Sequence, residues 1–528
     1  MQESTQQSTL DQFFVPLVPR WLGFIACCIG MFMAILDIQV VVTSLAVIEK
    51  ALNIGASQMS WIQTSYLIAE SIAIPMTGLL MRVLSMPRLF AISLLMFTLA
   101  SIGCASSFGF IDLLVWRVIQ GFSGGVLIPL VFSGIFLLFP KGIQQSIATT
   151  TGGFLAVLAP TVGPMAGGWL TEHFTWHWLF LINVLPGFVA VGIGYFTLPR
   201  GPLQLSLLKT LDWFSLILMG IAMASLLIGL KEAPTQGWLN AVVMFWFGIA
   251  AVSAVWMWLR PNPAIMFHLL EDRALAYGCA LSFVLGLCLF SSVFLMPVFL
   301  AFVRGHGPLE IGMVTLVTGL AQLIAAPLVI QIDRRSNARL LSAIGFGMFA
   351  VGLFMSTSQT VATDYWEMFW PQVVRGVAIT MCILPPIRFA LALTPLDKIG
   401  DASGIFNVAR NIGGAIGIAL VDTIMFGRAP EHSDAIKELM KTDPGAAAKI
   451  LGLNVADLPA SDDFAGMLGI VDNLQSAGLT MAINEAWLLL AGLCVLALPI
   501  LYLLGPIQSA LPLAKLAQSL KDGQKSTL

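Results

Sequence analysis

The sequence predicts an all-α membrane protein that crosses the bilayer fourteen times, and three observations carry that expectation. The 528 residues are 58% hydrophobic and only 10% charged, against about 25% charged in an average soluble domain. The mean hydropathy is +0.90, and no soluble fold could hide that much apolar surface. Fourteen stretches reach the ~20 mostly apolar residues that a helix needs to span the hydrocarbon core.

Taken in order, those stretches are 21–47, 58–81, 88–107, 111–138, 147–171, 176–198, 212–230, 238–259, 274–303, 308–331, 338–356, 366–393, 400–425 and 484–504. The first follows a polar tail of 20 residues with Glu3, Asp11 and a single Arg20. A cleavable signal peptide starts basic and has a shorter apolar run, so the first stretch is expected to be retained as a spanning helix. The chain then divides into a tail (1–20), a six-helix unit (21–198), two further helices with their linkers (199–273), a second six-helix unit (274–504) and a tail (505–528). Within the second unit, 427–483 reads as a hydrophilic outer loop with short helical patterns such as "SDAIKELMK". In the last segment, "LPLAKLAQSLKDGQK" sets Leu513, Leu516 and Leu520 on one face among lysines, as an interfacial helix on an anionic leaflet would.

An even number of spans puts both termini on one side, and Lys and Arg indicate which. With the N-terminus inside, sixteen fall in cytoplasmic segments and seven, Lys231 among them, in outer ones. Four of those seven lie in or at the edge of the 427–483 loop. Both ends are therefore expected in the cytoplasm.

Composition also narrows the function. A net charge of −2 gives no sign of nucleic-acid binding. All seven cysteines lie inside apolar runs, which argues against a disulfide framework. No metal-ligand cluster, phosphate loop or nucleophile–base arrangement is present, so neither an enzyme nor a bound cofactor is expected. His173 and His177 sit at the outer mouth of spans five and six, where an interfacial role suits them better than a proton relay.

The informative residues are charges inside the spans. At 1.5 Å per residue, Asp37 lies about 24 Å from the cytoplasmic end of the first span and Arg117 about 9 Å from the outer end of the fourth. In a core about 30 Å thick those depths agree. Glu70, about 18 Å from the outside, is near the midplane. Intramembrane ionisable groups are costly and functional by default. Asp37, Glu70 and Arg117 could form a protonation switch, or Asp37 and Arg117 a fixed structural pair. Arg375, Arg410, Asn407 and Asn411 lie in later spans, where hydrogen bonding between helices and contact with substrate are both open. Gln39, Gln63 and Gln120 complete the polar candidates for a cavity wall.

Span five carries "LAPTVGPMAGGW", in which Gly163, Gly167 and Gly168 permit close helix approach while Pro160 and Pro164 bend the backbone. In this order it resembles the antiporter motif of the major facilitator superfamily. "WRVIQGFSGGVLIPL" (116–130) resembles that family's fourth-helix motif. "LDIQVVVTSLAVI" (36–48) is similar to the first-helix signature of fourteen-span drug:proton antiporters, and "HWLFLINVLPG" (177–187) to the start of their sixth helix. With "IPMTGLLMRVLSMPRLF" (74–90), the pattern looks closest to EmrB-type multidrug exporters and extends over nearly the whole chain. "PQVVRGVAITMCILPP" (371–386) echoes the fourth-helix motif in the second repeat.

The resemblance implies the major facilitator fold, two six-helix repeats with two inserted helices, in a bacterial inner membrane. It implies proton-coupled export of lipophilic or amphipathic drugs by alternating access. It also implies a periplasmic adaptor and an outer-membrane channel as partners, with the 427–483 loop as a possible contact. The alternatives are a dedicated exporter of one metabolite, fatty acid or bile acid, and a non-transporting receptor or scaffold, which would need no buried acids beside an antiporter motif. Two departures stand out. Gln39, Val42 and Ala46 replace the usual Thr, Asn and Pro of the first-helix signature. The loop after span two lacks the customary Asp, whereas the loop after span ten keeps Asp333 with Arg334 and Arg335, the expected cytoplasmic charge latch.

Overall fold

A computed structural model describes residues 17–59, 61–139, 143–206, 212–260, 267–335, 337–391, 399–459, 466 and 469–503. The C-terminal amphipathic segment lies outside these residues, as do the side chains of Asp333, Arg334 and Arg335. Regular structure among the described residues is helical throughout. Among the described residues thirteen helices are long and apolar enough to cross a membrane, and the 17-residue Ala338–Phe354 makes the fourteenth.

In chain order the spans are α1 (Leu17–Val42), α2 (Trp61–Leu84), α3 (Met86–Ala105), α4 (Phe110–Leu138), α5 (Ile143–His173) and α6, broken into Trp178–Leu181 and Val184–Thr197. The two inserted helices are α7 (Trp213–Gln236) and α8 (Ala241–Trp258). Then follow α9 (Arg273–Phe302), α10 (Pro308–Arg335), α11 (Ala338–Phe354), α12 (Tyr365–Leu391), α13 (Ile399–Thr442) and α14 (Val471–Val495, continued by Ala497–Leu503). The end of the bundle where α1 begins is termed proximal and the opposite end distal.

Local chemistry sets the helix ends. Asp212, Asn240, Asp272 and Asn337 accept bonds from backbone N–H groups at the starts of α7, α8, α9 and α11, at 3.1, 2.9, 2.9 and 3.0 Å. Such caps satisfy amides that a helix start leaves orphaned. The helix flanks bury against one another, while Leu185, Phe196, Leu239, Ile324 and Trp366 stand more than three-quarters exposed. A soluble monomer does not display that surface, whereas lipid tails cover it without penalty.

α1 to α6 pack around Phe24, Met31, Phe90, Phe97 and Leu130, and α9 to α14 around Leu285, Phe299, Phe346, Phe349 and Trp487. Two seams join these groups. Along the distal half, α5 meets α10 through glycines; a Cβ on Gly312 would stand 2.5 Å from the Pro164 carbonyl oxygen. Along the proximal half, α2 meets α13: Asn411 Nδ2 donates to Ser71 Oγ at 3.4 Å, and Arg82 lies 3.8 Å from Asp401. The inserted helix α7 lies over this second seam, sharing apolar clusters with Ile74 of α2 and with Val408 and Ala419 of α13.

Two segments differ from the sequence expectation. The described residues of 427–483, read as an outer loop with short helical patterns, are largely helical and continuous with the spans: α13 runs 44 residues to Thr442 and α14 already starts at Val471. At 1.5 Å per residue α13 is about 66 Å long, so its distal part projects beyond a ~30 Å core. With the short helix Pro444–Leu451 it forms a cap with its own core of Ile436, Met440, Ala447, Leu451 and Leu474. Arg428 binds both carboxylate oxygens of Glu485, at 2.9 and 3.1 Å, and His432 bonds Glu485 at 3.0 Å. The polar composition ended the apolar run, but these residues keep good helix propensity and find partners. Lys231, read as an outer residue, is a buried part of α7, because that helix continues to Gln236.

Candidate functional site

Asp37 lies deep in α1 and is 1% exposed. Helices α4 and α6 bring its partners. Arg117 and Gln120, three residues apart on one face of α4, both reach it. The Arg117 guanidinium pairs with Asp37 Oδ2 through Nη1. Gln120 Nε2 and Asn183 Nδ2 each donate to Oδ1 at 2.9 Å. Asn183 sits at the short Ile182–Asn183 interruption of α6, its backbone still in the helical region, and reaches Asp37 where α6 packs on α1. Gln120 is held in turn by Arg117 Nη1 at 2.9 Å and lies 2.9 Å from Ser101 Oγ of α3.

Arg117 is fully buried. Its Nε donates to the Ile62 carbonyl at 3.1 Å, and its charge sits 4.4 Å from the centre of the Tyr66 ring. The Tyr66 hydroxyl donates to the Ala34 carbonyl at 3.1 Å, tying α2 to α1. A buried ion pair is tolerable only when the remaining donors and lone pairs are also satisfied. Here both carboxylate oxygens are engaged, while Arg117 Nη2 has no acceptor among the described residues.

Glu70, 4% exposed, lies one helical turn beyond Tyr66 on α2. Close packing of α2 on α4 places it there, since a Cβ at Gly125 would be 2.8 Å from the Glu70 carbonyl oxygen. No cation comes within 4 Å of Glu70 among the described residues, and the charges acting on it are Arg410 of α13 and Arg117. Asp37, Arg117 and Gln120 thus form one cluster, and Glu70 stands beside it, facing the second group of helices.

The other polar candidates separate. Gln63 is buried on α2, two turns before Glu70, and half-buried Gln39 lies against Gly163. Arg375 stacks its guanidinium 4.7 Å from the Trp487 ring centre, inside the second group, away from Asp37. Asn407 donates to the Ser403 carbonyl of its own helix at 2.9 Å, and among the described residues its bonds stay within that helix. Asn411 does, to Ser71. Arg410 lies across the seam from Glu70, near enough for the two charges to act on each other.

The glycine–proline motif of α5 serves both of its neighbours. A Cβ at Gly163 would lie 2.5 Å from that of Gln39 on α1, and one at Gly167 2.9 Å from Thr43 Oγ1. Gly168 faces the backbone of Pro308 and Leu309 at the start of α10. Pro164 exposes its carbonyl to both Gly312 and Thr43 Oγ1. Pro160 lies within the same helix.

Sequence reasoning overlooked Asn183, although it stood inside a quoted motif; a lone amide in the apolar run "LFLINVL" was the available signal. It also overlooked a second buried pair, Lys231 with Asp422, whose acid sits inside the apolar run "GIALVDTIMF".

The chain matches the Major Facilitator Superfamily over residues 27–418. It belongs to that superfamily. Among relatives of this major facilitator, the colistin resistance protein EmrB of Acinetobacter baumannii is 35% identical over 430 residues, covering 80% of this chain and 84% of that protein. The multidrug export protein EmrB of Escherichia coli (strain K12) is 27% identical over 492 residues, or 91% and 94% of the two chains. A solved structure concerned with substrate recognition in proton dependent oligopeptide transporters shares the fold, with a TM-score of 0.58 at 12% identity over 92% of this chain and all of that one. This facilitator is a multi-pass membrane protein whose family and structural neighbours are transporters.

Proposed function

We propose that this protein is a proton-coupled antiporter of the bacterial inner membrane that exports lipophilic or amphipathic drugs by alternating access. The observation that carries the reading is two buried acids beside one guanidinium. Arg117 holds Asp37 and has a donor to spare, while Glu70 lies in its field without an ion pair. A buried carboxylate without a partner is expensive to keep charged, so a proton from outside neutralises Glu70 first. Departure of that proton inward leaves an anion that competes for Arg117 and Arg410. The helices carrying these groups then repack across the α2–α13 seam, and a drug takes the opposite stroke.

The energetics suffice. One charge moved through 100 mV contributes about 2.3 kcal/mol, and one pH unit about 1.4 kcal/mol. The names of the relatives, a colistin resistance protein and a multidrug export protein, support drugs as the substrate class. With Lys231 inside a helix, six cations remain outside against sixteen within, which supports a cytoplasmic proximal end and cytoplasmic termini. The helical cap formed by 427–483 is the proposed contact for a periplasmic adaptor and, through it, an outer-membrane channel. Asp333, Arg334 and Arg335 are proposed as the cytoplasmic latch.

Reconstituted vesicles test this reading. Addition of a lipophilic drug is expected to release protons, and the Asp37→Asn/Glu70→Gln double variant to release none. Uphill drug extrusion that persists in that double variant overturns the proposal. Capture of an adaptor is expected to fail when the cap is deleted; capture that survives the deletion removes the assigned contact.

A further inference from the structure

Lys231 and Asp422 form a charge pair that the coupling cluster does not use. Their side chains are 6% and 4% exposed, and Lys231 Nζ lies 3.9 Å from Asp422 Oδ2. That distance keeps electrostatic contact but exceeds hydrogen-bond length, so the ammonium is only loosely held.

Each partner faces a different cavity. Asp422 lies in the wall of a distal cleft of about 520 Å³, closed by Met59, Phe294, Phe302, Met425 and Phe426, with Asp434 towards the cap. Lys231 borders a neighbouring cavity of about 490 Å³ that also contains Gln58, Trp61 and Glu232. The first volume suits a drug-sized molecule. Its methionines adapt to varied shapes and its phenylalanine rings attract cations. Asp422 supplies a charge deep in the wall, whereas Asp434 and Lys437, which both line the cleft, pair with each other at 2.7 Å and leave Asp422 as the acid that a bound cation meets.

We propose that the distal cleft binds a lipophilic organic cation whose charge replaces the Lys231 ammonium opposite Asp422, while Lys231 turns into the adjacent cavity towards Glu232 and Gln58. The long flexible stem of a lysine permits that movement. A ligand anion of the same shape meets Asp422 instead and is rejected. The site deepens the export reading by naming a ligand class and a place on the distal side, but binding there does not depend on proton coupling.

The test uses the full-length protein in lipid nanodiscs, with tetraphenylphosphonium and its anionic isostere tetraphenylborate as probes and equilibrium dialysis as the measurement. Wild type is expected to prefer the cation, and Asp422→Asn to weaken cation binding by about tenfold or more and lose the preference. Lys231→Met removes the competitor and is expected to tighten cation binding, an effect opposite in sign that a merely structural pair would not give. Phe426→Ala, at a half-exposed wall residue, provides a second weakening variant that leaves the pair intact. Equal cation binding by wild type, Asp422→Asn and Phe426→Ala overturns the proposal, as does weakened binding in Lys231→Met with an unchanged melting temperature. Repeating the measurement in the Asp37→Asn/Glu70→Gln background separates the two readings. Binding that persists there places the cation outside the coupling cluster, whereas binding abolished there but untouched by Asp422→Asn sinks the distal site alone.

Discussion

Asp37 is stable at its depth because three side chains from two other helices present donors to it. Truncating one member of such a pair leaves an uncompensated charge, which costs about 3–5 kcal/mol. Arg117→Ala is therefore expected to lower the melting temperature far more than Arg375→Ala, whose guanidinium meets a ring rather than an acid; thermal unfolding in detergent measures the difference. Asn183→Ala removes one hydrogen bond to a charged acceptor, worth about 1.5–3 kcal/mol, and is expected to fall between them. At the proximal surface, the hydrogen bond from Arg260 holds the Asp212 carboxyl below its usual range. A depressed acid contributes stability that is present above the unfolded value of about 3.9 and lost as pH falls through the lower folded value. Because asparagine also caps helices, Asp212→Asn isolates the charge: its melting temperature should lie below wild type at pH 7 and converge with it as pH falls through the lowered folded value. Asp37, Glu70 and Arg117 were legible in the sequence because a charge inside an apolar run is conspicuous and helix rise fixes its depth, whereas Asp422 lies near the end of its apolar run, where a span boundary drawn from hydropathy hides it. Asn183 was not, because only the packing of α6 against α1 brings it to Asp37.

At the level of elements, the glycines of α5 and α10 show how small residues set the spacing of a seam. Gly312 faces the Pro164 carbonyl at a distance that no side chain can share. Gly312→Val is expected to abolish vesicle transport while the protein still inserts and purifies, since only the approach of α10 to α5 is blocked. Gly153 has nothing within 4 Å of its would-be Cβ, and Gly153→Ala in the same helix is expected to transport at the wild-type rate. The motif's small residues were legible in the sequence, but their partners were not. Gly163 and Gly167 serve α1 while Gly168 serves α10, a division that depends on how the two groups of helices dock. The distal extension of α13 escaped notice for the opposite reason. What escaped was its continuity with the span, since the helical pattern of "SDAIKELMK" was legible: its residues are polar enough to end an apolar run, and their helicity is sustained by contact with α14 and the short helix beside it.

Across the whole molecule, the two seams hold opposite ends of the interface, α5 with α10 distally and α2 with α13 proximally, and α7 braces the second. The Arg82–Asp401 contact lies at the proximal margin of that brace, with Arg82 half-exposed. An exposed pair adds only about 0–1 kcal/mol to stability, yet two conformations separated by a small gap respond to such differences. Arg82→Asp is expected to change the transport rate and Asp401→Arg to change it similarly, whereas the double reversal should restore most of the loss. Transport rates in the four proteins of that double-mutant cycle measure the coupling.

By itself the sequence determined that this chain spans a membrane, roughly where each helix lies, and that Asp37, Glu70 and Arg117 are sunk within spans, because hydrophobic length and helix rise are properties of one segment at a time. Only the tertiary structure decided which side chains meet. It closed Asn183 on Asp37, turned Glu70 towards Arg410, and set Lys231 of an inserted helix opposite Asp422, nearly two hundred residues later. Those contacts depend on the rotation and docking of whole helices, which the packing of many neighbours fixes together.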